Sequence, residues 1–375
     1  MQANVRSDSP ALYNATRTSG RPSNSIVRAV VASLALFAAG STLMPAASAA
    51  AAVATPPSSA PADPEMQRRA AALALANAAV VGVTSHTVEG AGSEATLGRE
   101  RRGSGVVIES DGLVLTIGYL ILEAEQVDLL VEGRRAIPAR VVAYDPASGF
   151  GLLQALAPLG VAPVRLGTAA AAPSDELLLI ASGGAQGGVS LAQLVSRRAF
   201  TGYWEYHIEG ALFTAPPRPD HSGAALFNVE GELLGIGSLI VADASAPGSP
   251  ALPGNMFVPV DLLKPILGEL RASGSSRDSH RAWIGASCVE QAGKVVVIRV
   301  TPDSPADAAG LRPGDQIVRI DSADVNGLEG FYKSLWLGDP PEREVRLDVR
   351  RSGTVQTISV QTTDRLRTLR RAVGV

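Results

Sequence analysis

The chain has 375 residues, 46% of them hydrophobic and 4% aromatic, with 38 glycines, 25 prolines and a single cysteine. That length accommodates two domains and a tail, and this composition favours short strands joined by turns over a helical bundle. A net charge of −3 offers no basic field for nucleic acid, the lone Cys288 excludes an internal disulfide, and no Cys/His cluster marks a metal centre, so no metal, cofactor or nucleic-acid partner is expected.

The first 28 residues carry four arginines against one aspartate. An apolar run follows over 29–39, and Ala47-Ser48-Ala49 supplies an A-x-A cleavage pattern. Residues 1–49 therefore read as a signal peptide. The alternative is an inner-membrane anchor through residues 26–44, although the apolar core is shorter than the roughly 20 residues of a span. Residues 50–74 read as a linker rich in Ala, Pro and Ser that runs into an N-terminal helix over 65–78. Export without disulfides points to a bacterial periplasm.

From residue 79 the pattern turns to strands. The first covers 80–87. A loop is expected over the charged run Gly98-Arg99-Glu100-Arg101-Arg102, then a strand over 103–108. Asp111-Gly112 is a hairpin signal leading into a strand over 113–116. Strands at 126–131, 137–144 and 150–156 complete a set short enough for a closed antiparallel barrel. A second set covers 176–181, 191–200, 205–213, 224–228, 232–241 and 256–260, with Glu230-Gly231 as a turn. Asp261 is placed to cap a helix through Leu270 that Gly274 ends. Residues 273–281 read as a polar linker.

Within the second set, Arg218-Pro219-Asp220-His221-Ser222-Gly223-Ala224-Ala225-Leu226 resembles N-P-G-N-S-G-G-A-L, the nucleophile loop of chymotrypsin-like serine proteases of the HtrA/Deg family. Ser222 falls on the nucleophile. After the linker, Trp283-Ile284-Gly285-Ala286, Ser304-Pro305-Ala306, Ala309-Gly310-Leu311 and Arg312-Pro313-Gly314-Asp315 resemble a PDZ domain of the same family. The resemblance covers 75–363. It implies a mainly β chain: a trypsin-like double antiparallel β-barrel over 75–272, a linker over 273–281, an α+β PDZ domain over 282–363 and a tail over 364–375.

The resemblance also exposes departures. The family's T-N-A-H-V reads here Thr116-Ile117-Gly118-Tyr119-Leu120, which puts Tyr119 in the histidine position. Its D-P-x-x-D-x-A-L-L reads Asp145-Pro146-Ala147-Ser148-Gly149-Phe150-Gly151-Leu152-Leu153, which puts Gly149 in the aspartate position. A phenol with a pKa near 10 cannot shuttle the serine proton as an imidazole does. Gly149 has no side chain to orient a base. Asp220 stands where the family has an oxyanion-hole glycine, and a carboxylate there would repel a developing oxyanion. His221 and His207 are weak candidates for a substitute base, His86 and His280 read as surface residues, and Asp145 reads as turn chemistry.

A PDZ groove takes an extended C-terminal peptide as an added strand. By resemblance, the N–H groups of Trp283, Ile284, Gly285 and Ala286 would hold the terminal carboxylate, and Phe331 and Leu335 would face in from the other wall. The alternative for Trp283, Phe331 and Leu335 is plain core packing. The expected function is therefore an exported, proteolytically inactive scaffold that binds C-terminal or unfolded peptide segments. The alternatives are a serine endopeptidase of envelope protein quality control, and an assembly subunit forming a homo-trimer or a hetero-oligomer with an active homologue.

Overall fold

A computed structural model describes residues 63–370 apart from 175 and 339. The segments expected as a signal peptide or, alternatively, an anchor, most of the expected first linker and the last five residues of the expected tail lie outside the described residues. Helix α1 (Pro64–Ala78) begins where its residues dictate. The Asp63 carboxylate accepts the Glu65 N–H, and proline takes the first helical position, where no N–H is missed.

The first barrel is built from β1 (Val80–Thr87), β2 (Glu100–Val107), β3 (Leu113–Ile117), β4 (Ala124–Val131), β5 (Arg135–Tyr144) and β6 (Phe150–Ala155). It closes in the order β1-β2-β3-β6-β5-β4. Every residue of β3 is buried, as its four apolar residues require, and the one polar residue, Thr116, donates its hydroxyl to the Ser104 carbonyl (2.6 Å). A short helix, α2 (Glu94–Leu97), lies between β1 and β2.

The charged run expected as a loop is partly strand, since β2 starts at Glu100. Arg101 is only 5% exposed. It donates to the carbonyls of Gly98 (3.2 Å), Tyr119 (2.8 Å) and Leu122 (2.8 Å) and to Ser93 Oγ (2.6 Å). A guanidinium tolerates burial when its fork is satisfied in this way.

The second barrel contains β7 (Leu177–Ala181), β8 (Val189–Gly202), β9 (Tyr206–Ala215), β10 (Ala225–Phe227), β11 (Leu233–Val241) and β12 (Gly254–Pro259), in the order β10-β11-β12-β9-β8-β7. The β8–β9 hairpin pairs as far as Gly202 with Tyr206, leaving a three-residue tip, Tyr203-Trp204-Glu205. Glu205 takes a left-handed φ of +57°, the usual third position of such a tip and a costly one for a non-glycine residue.

Beyond β12 the continuous helix expected from Asp261 is absent. A 3-10 turn (Val260–Leu262) precedes a short α3 (Leu267–Ser273), and Pro265 lies in the gap. Asp261 accepts the Ala170 N–H (2.8 Å) rather than capping a helix. Gly274 ends α3 in the left-handed region, at φ +84°.

The polar segment 273–281 is not a solvated linker, because Ser275, Ser276 and Ser279 are buried. The partner of Ser276 and Ser279 is Asp145, fully buried, which accepts from the Ser148 N–H (3.0 Å) and hydroxyl (2.5 Å), the Ser276 N–H (3.0 Å) and hydroxyl (2.5 Å), and the Ser279 hydroxyl. Burial alone would raise this carboxyl. The hydrogen bonds from the three serines outweigh it and hold Asp145 below the usual carboxylate range.

The third module pairs β13 (Ala282–Trp283) with β20 (Thr363–Asp364). Its main sheet runs β14 (Ala286–Gln291), β15 (Lys294–Val300), β16 (Gln316–Ile320), β18 (Glu344–Arg351), β19 (Thr354–Gln361), with β17 (Ala323–Asp324) paired to β16. Helices α4 (Pro305–Ala308) and α5 (Gly327–Trp336) complete it. Its core includes Ile284, Cys288, Phe331, Tyr332 and Leu335. Phe331 and Leu335 are fully buried in that core.

Candidate active site and peptide groove

Ser222 is carried between the barrels by a docked loop. Its carbonyl accepts the Ser104 N–H (2.9 Å). The following residue must be glycine: at φ +72° a Cβ on Gly223 would lie 1.9 Å from the Ser104 carbonyl oxygen.

Tyr119 occupies a 3-10 turn (Gly118–Leu120) directly after β3, and Arg101 holds its carbonyl. Its Oη lies 2.8 Å from Ser222 Oγ and 2.9 Å from the Ser238 carbonyl oxygen. A carbonyl can only accept, and a phenol has one proton. Both contacts are made together when the phenol donates to Ser238 and the Ser222 hydroxyl donates to the phenol oxygen. The serine proton thus ends on a group that cannot carry it away. Burial pushes the Tyr119 phenol up to about 12, against the opposing pull of its hydrogen bond with Ser222. At neutral pH about one molecule in 10⁵ would hold a phenolate.

At Gly149, where the sequence resemblance expects an aspartate, the space is filled by another residue. Gly149 sits at φ +81°, and a Cβ there would lie 2.5 Å from Tyr206 Oη and 3.1–3.2 Å from the ring. Tyr206 is buried, donates to the Ser148 carbonyl (3.1 Å) and stacks on Trp204 at 5.5 Å. The loop that would present an aspartate is instead tied down by Tyr206, by the serines around Asp145 and by Arg281, which donates to the Pro146 carbonyl (3.1 Å).

Asp220 is drawn into an ion pair with Arg218 (Nε 2.7 Å, Nη2 2.5 Å) and accepts from the Ser182 hydroxyl. Partial burial raises this carboxyl, but Arg218 and Ser182 hold it below the usual range. Pairing with Arg218 offsets much of the negative field expected from Asp220. The backbone there avoids the left-handed region, so replacing glycine costs no strain.

Of the four histidines, none hydrogen-bonds Ser222. His221 Nδ1 lies 3.0 Å from the Pro219 carbonyl, and burial lowers its pKa. His207 is buried against Thr201 (2.9 Å) and Glu209 (3.1 Å). His280 pairs with Asp364 (2.7 Å), and His86 lies on β1. His207, Glu209 and Glu329 converge, but Lys333 Nζ bridges both carboxylates at 2.8 and 2.6 Å, so the lysine already supplies a cation to the group.

In the third module the loop after Trp283 has its donors engaged. Glu205, 3% exposed at the hairpin tip, accepts the N–H groups of Ile284 (3.4 Å), Gly285 (2.9 Å) and Ala286 (3.2 Å). Burial pushes this carboxyl up to about 7, against the opposing effects of Arg365 and the three N–H groups. Sequence reasoning missed Glu205, Tyr206 and Arg101. The available signal was Tyr203-Trp204-Glu205-Tyr206, which crowds three large aromatics into and beside a turn, where they need a partner surface.

Two six-stranded antiparallel barrels with a serine loop between them, followed by a small sheet with two helices, define a trypsin-like peptidase fold with an appended PDZ domain. Comparisons with known proteins agree: residues 103–236 match the trypsin-like peptidase domain and residues 282–362 the PDZ domain. In carrying both domains in this order the chain is similar to proteins of the HtrA/Deg type.

Relatives include the "Probable periplasmic serine endoprotease DegP-like" of Ectopseudomonas mendocina (strain ymp), 27% identical over 292 residues, covering 70% of this chain and 57% of that protein. The protein of the same description from Hahella chejuensis (strain KCTC 2396) is 26% identical over 274 residues, covering 69% and 56%. The chain thus spans little more than half the length of these relatives. Among solved structures, a substituted form of the HtrA-type protease AlgW with tripeptide shares the fold at a TM-score of 0.50 and 21% identity, covering 80% of this chain and 97% of that one.

Proposed function

We propose that this is an exported HtrA-type protein whose barrels do not turn over peptide bonds and whose PDZ domain reads C-terminal or unfolded peptide segments. The observation that carries the reading is the Tyr119 hydroxyl at 2.8 Å from Ser222 Oγ, in the place of the base. In serine proteases the loss of the base alone costs about 10⁶ in turnover. The leader composition and the periplasmic description of the relatives support an envelope location. The test is casein cleavage by the purified chain beside Ser222→Ala. The reading expects equal, background rates.

A second reading, a weakly active serine endopeptidase, is favoured by the retained and docked Ser222 and by the endoprotease description of the relatives. It expects cleavage that Ser222→Ala abolishes.

A further inference from the structure

The PDZ loop and the β8–β9 hairpin meet in a pattern that generic packing does not require. The Glu205 carboxylate takes the N–H groups of Ile284, Gly285 and Ala286. Two residues earlier in the hairpin, the Tyr203 carbonyl accepts the Cys288 N–H at 2.9 Å, two residues later on β14. The spacing runs in opposite directions on the two segments, as between antiparallel neighbours. From the far wall, the Tyr332 hydroxyl of α5 donates to the same Tyr203 carbonyl (3.0 Å), and Lys333 reaches Glu209 on β9 (2.8 Å).

A peptide adding as a strand to β14 would need these same donors: the loop N–H groups for its terminal carboxylate and the Cys288 N–H for a carbonyl two residues upstream. Glu205 meets them from a left-handed backbone position and with its carboxylate out of water. Burial on those terms is tolerated only because three N–H groups converge on it.

We infer that the PDZ groove of this chain is closed by its own hairpin, with Glu205 standing in for a terminal carboxylate and the Tyr203 carbonyl for the ligand main chain, so that a peptide C-terminus binds only by displacing residues 203–205. The next residue, Tyr206, fills the space beside Gly149 and holds the Ser148 carbonyl. Consecutive residues of one tip therefore touch the groove and the altered triad, and displacing the tip would loosen both. The inference rests on the PDZ domain being a carboxylate reader and is independent of whether Ser222 is silent.

The test uses the full chain and labelled hexapeptides ending in each apolar residue with a free carboxylate, beside the same peptides amidated. Binding is read by fluorescence anisotropy. Removing a three-donor competitor in Glu205→Ala should tighten binding of the best free-carboxylate peptide by about tenfold or more. Amidation should abolish the gain. Glu205→Gln, which keeps the shape, serves if Glu205→Ala fails to fold, and should bind more tightly than the parent by a smaller factor. Equal binding by the parent and the folded variants overturns the internal-ligand inference while leaving the carboxylate reader intact. No binding of any free-carboxylate peptide by folded variants overturns the reader itself, and the inference with it.

Discussion

The contact between Gly149 and Tyr206 allows the proposed alteration of the triad to be tested as packing rather than as chemistry. Alanine at 149 must adopt φ +81°, and its Cβ would meet Tyr206 Oη at 2.5 Å and the ring at 3.1–3.2 Å. A left-handed alanine costs about 1–2 kcal/mol, and forcing a methyl into a filled site adds about 1–3 kcal/mol. Gly149→Ala should therefore destabilise the barrels by roughly 2–5 kcal/mol. Tyr206→Phe loses one hydrogen bond, to the Ser148 carbonyl, worth about 1 kcal/mol. It also removes the nearest atom in the clash. Combined with Tyr206→Phe, Gly149→Ala should then cost less, giving a coupling of about 1 kcal/mol in a double-mutant cycle. Urea melts of the parent, both single variants and the double variant at pH 7 give all four corners of the cycle. Costs that add within about 0.5 kcal/mol would refute the idea that Tyr206 occupies the aspartate's place.

Three further outcomes follow from the buried polar groups. Asp145→Asn should cost about 1.5–3 kcal/mol, since it weakens charge-assisted hydrogen bonds from three serines. Because the folded Asp145 is held below its ordinary value of 3.8, its contribution is complete above that value and is lost as pH falls toward the folded pKa; acid melts of the parent should show this loss and the variant should not. Glu205 runs the other way. Its carboxyl rises from 4.5 to about 7 in the folded chain, so stability should fall by up to about 3 kcal/mol as pH rises between those values. The groups facing it are Arg365, Arg281, Cys288 and Tyr332, and Glu205→Gln should flatten the slope in melts over that range. Arg101→Met should cost about 2–4 kcal/mol by orphaning the carbonyls of Tyr119 and Leu122, and amide exchange should rise first in the Gly118–Leu120 turn.

The barrels and the PDZ sheet were legible because their signals are local. Apolar runs, turn pairs such as Asp111-Gly112 and the left-handed Gly274 each speak within a few residues. Ser222, Tyr119 and Gly149 were singled out because their flanks align without gaps, and the structure brings Tyr119 Oη to 2.8 Å from Ser222 Oγ. What escaped were polar residues whose partners lie far along the chain. Arg101 reads as a surface charge until the carbonyls of Tyr119 and Leu122 arrive. Ser276 and Ser279 read as linker until Asp145, more than 130 residues earlier, meets them. Glu205 reads as a turn acid until the Gly285 N–H, 80 residues later, takes its oxygen. Polarity alone predicts exposure for such residues, and only the tertiary partner reverses it.

The reactivity of one hydroxyl decides between a silent scaffold and a working protease, and the time course of fluorophosphonate labelling measures it most directly. The purified chain should be labelled no faster than Ser222→Ala, because the phenol beside Ser222 has its pKa near 12 and cannot take the proton. Rapid, stoichiometric labelling that maps to Ser222 and vanishes in Ser222→Ala would contradict it.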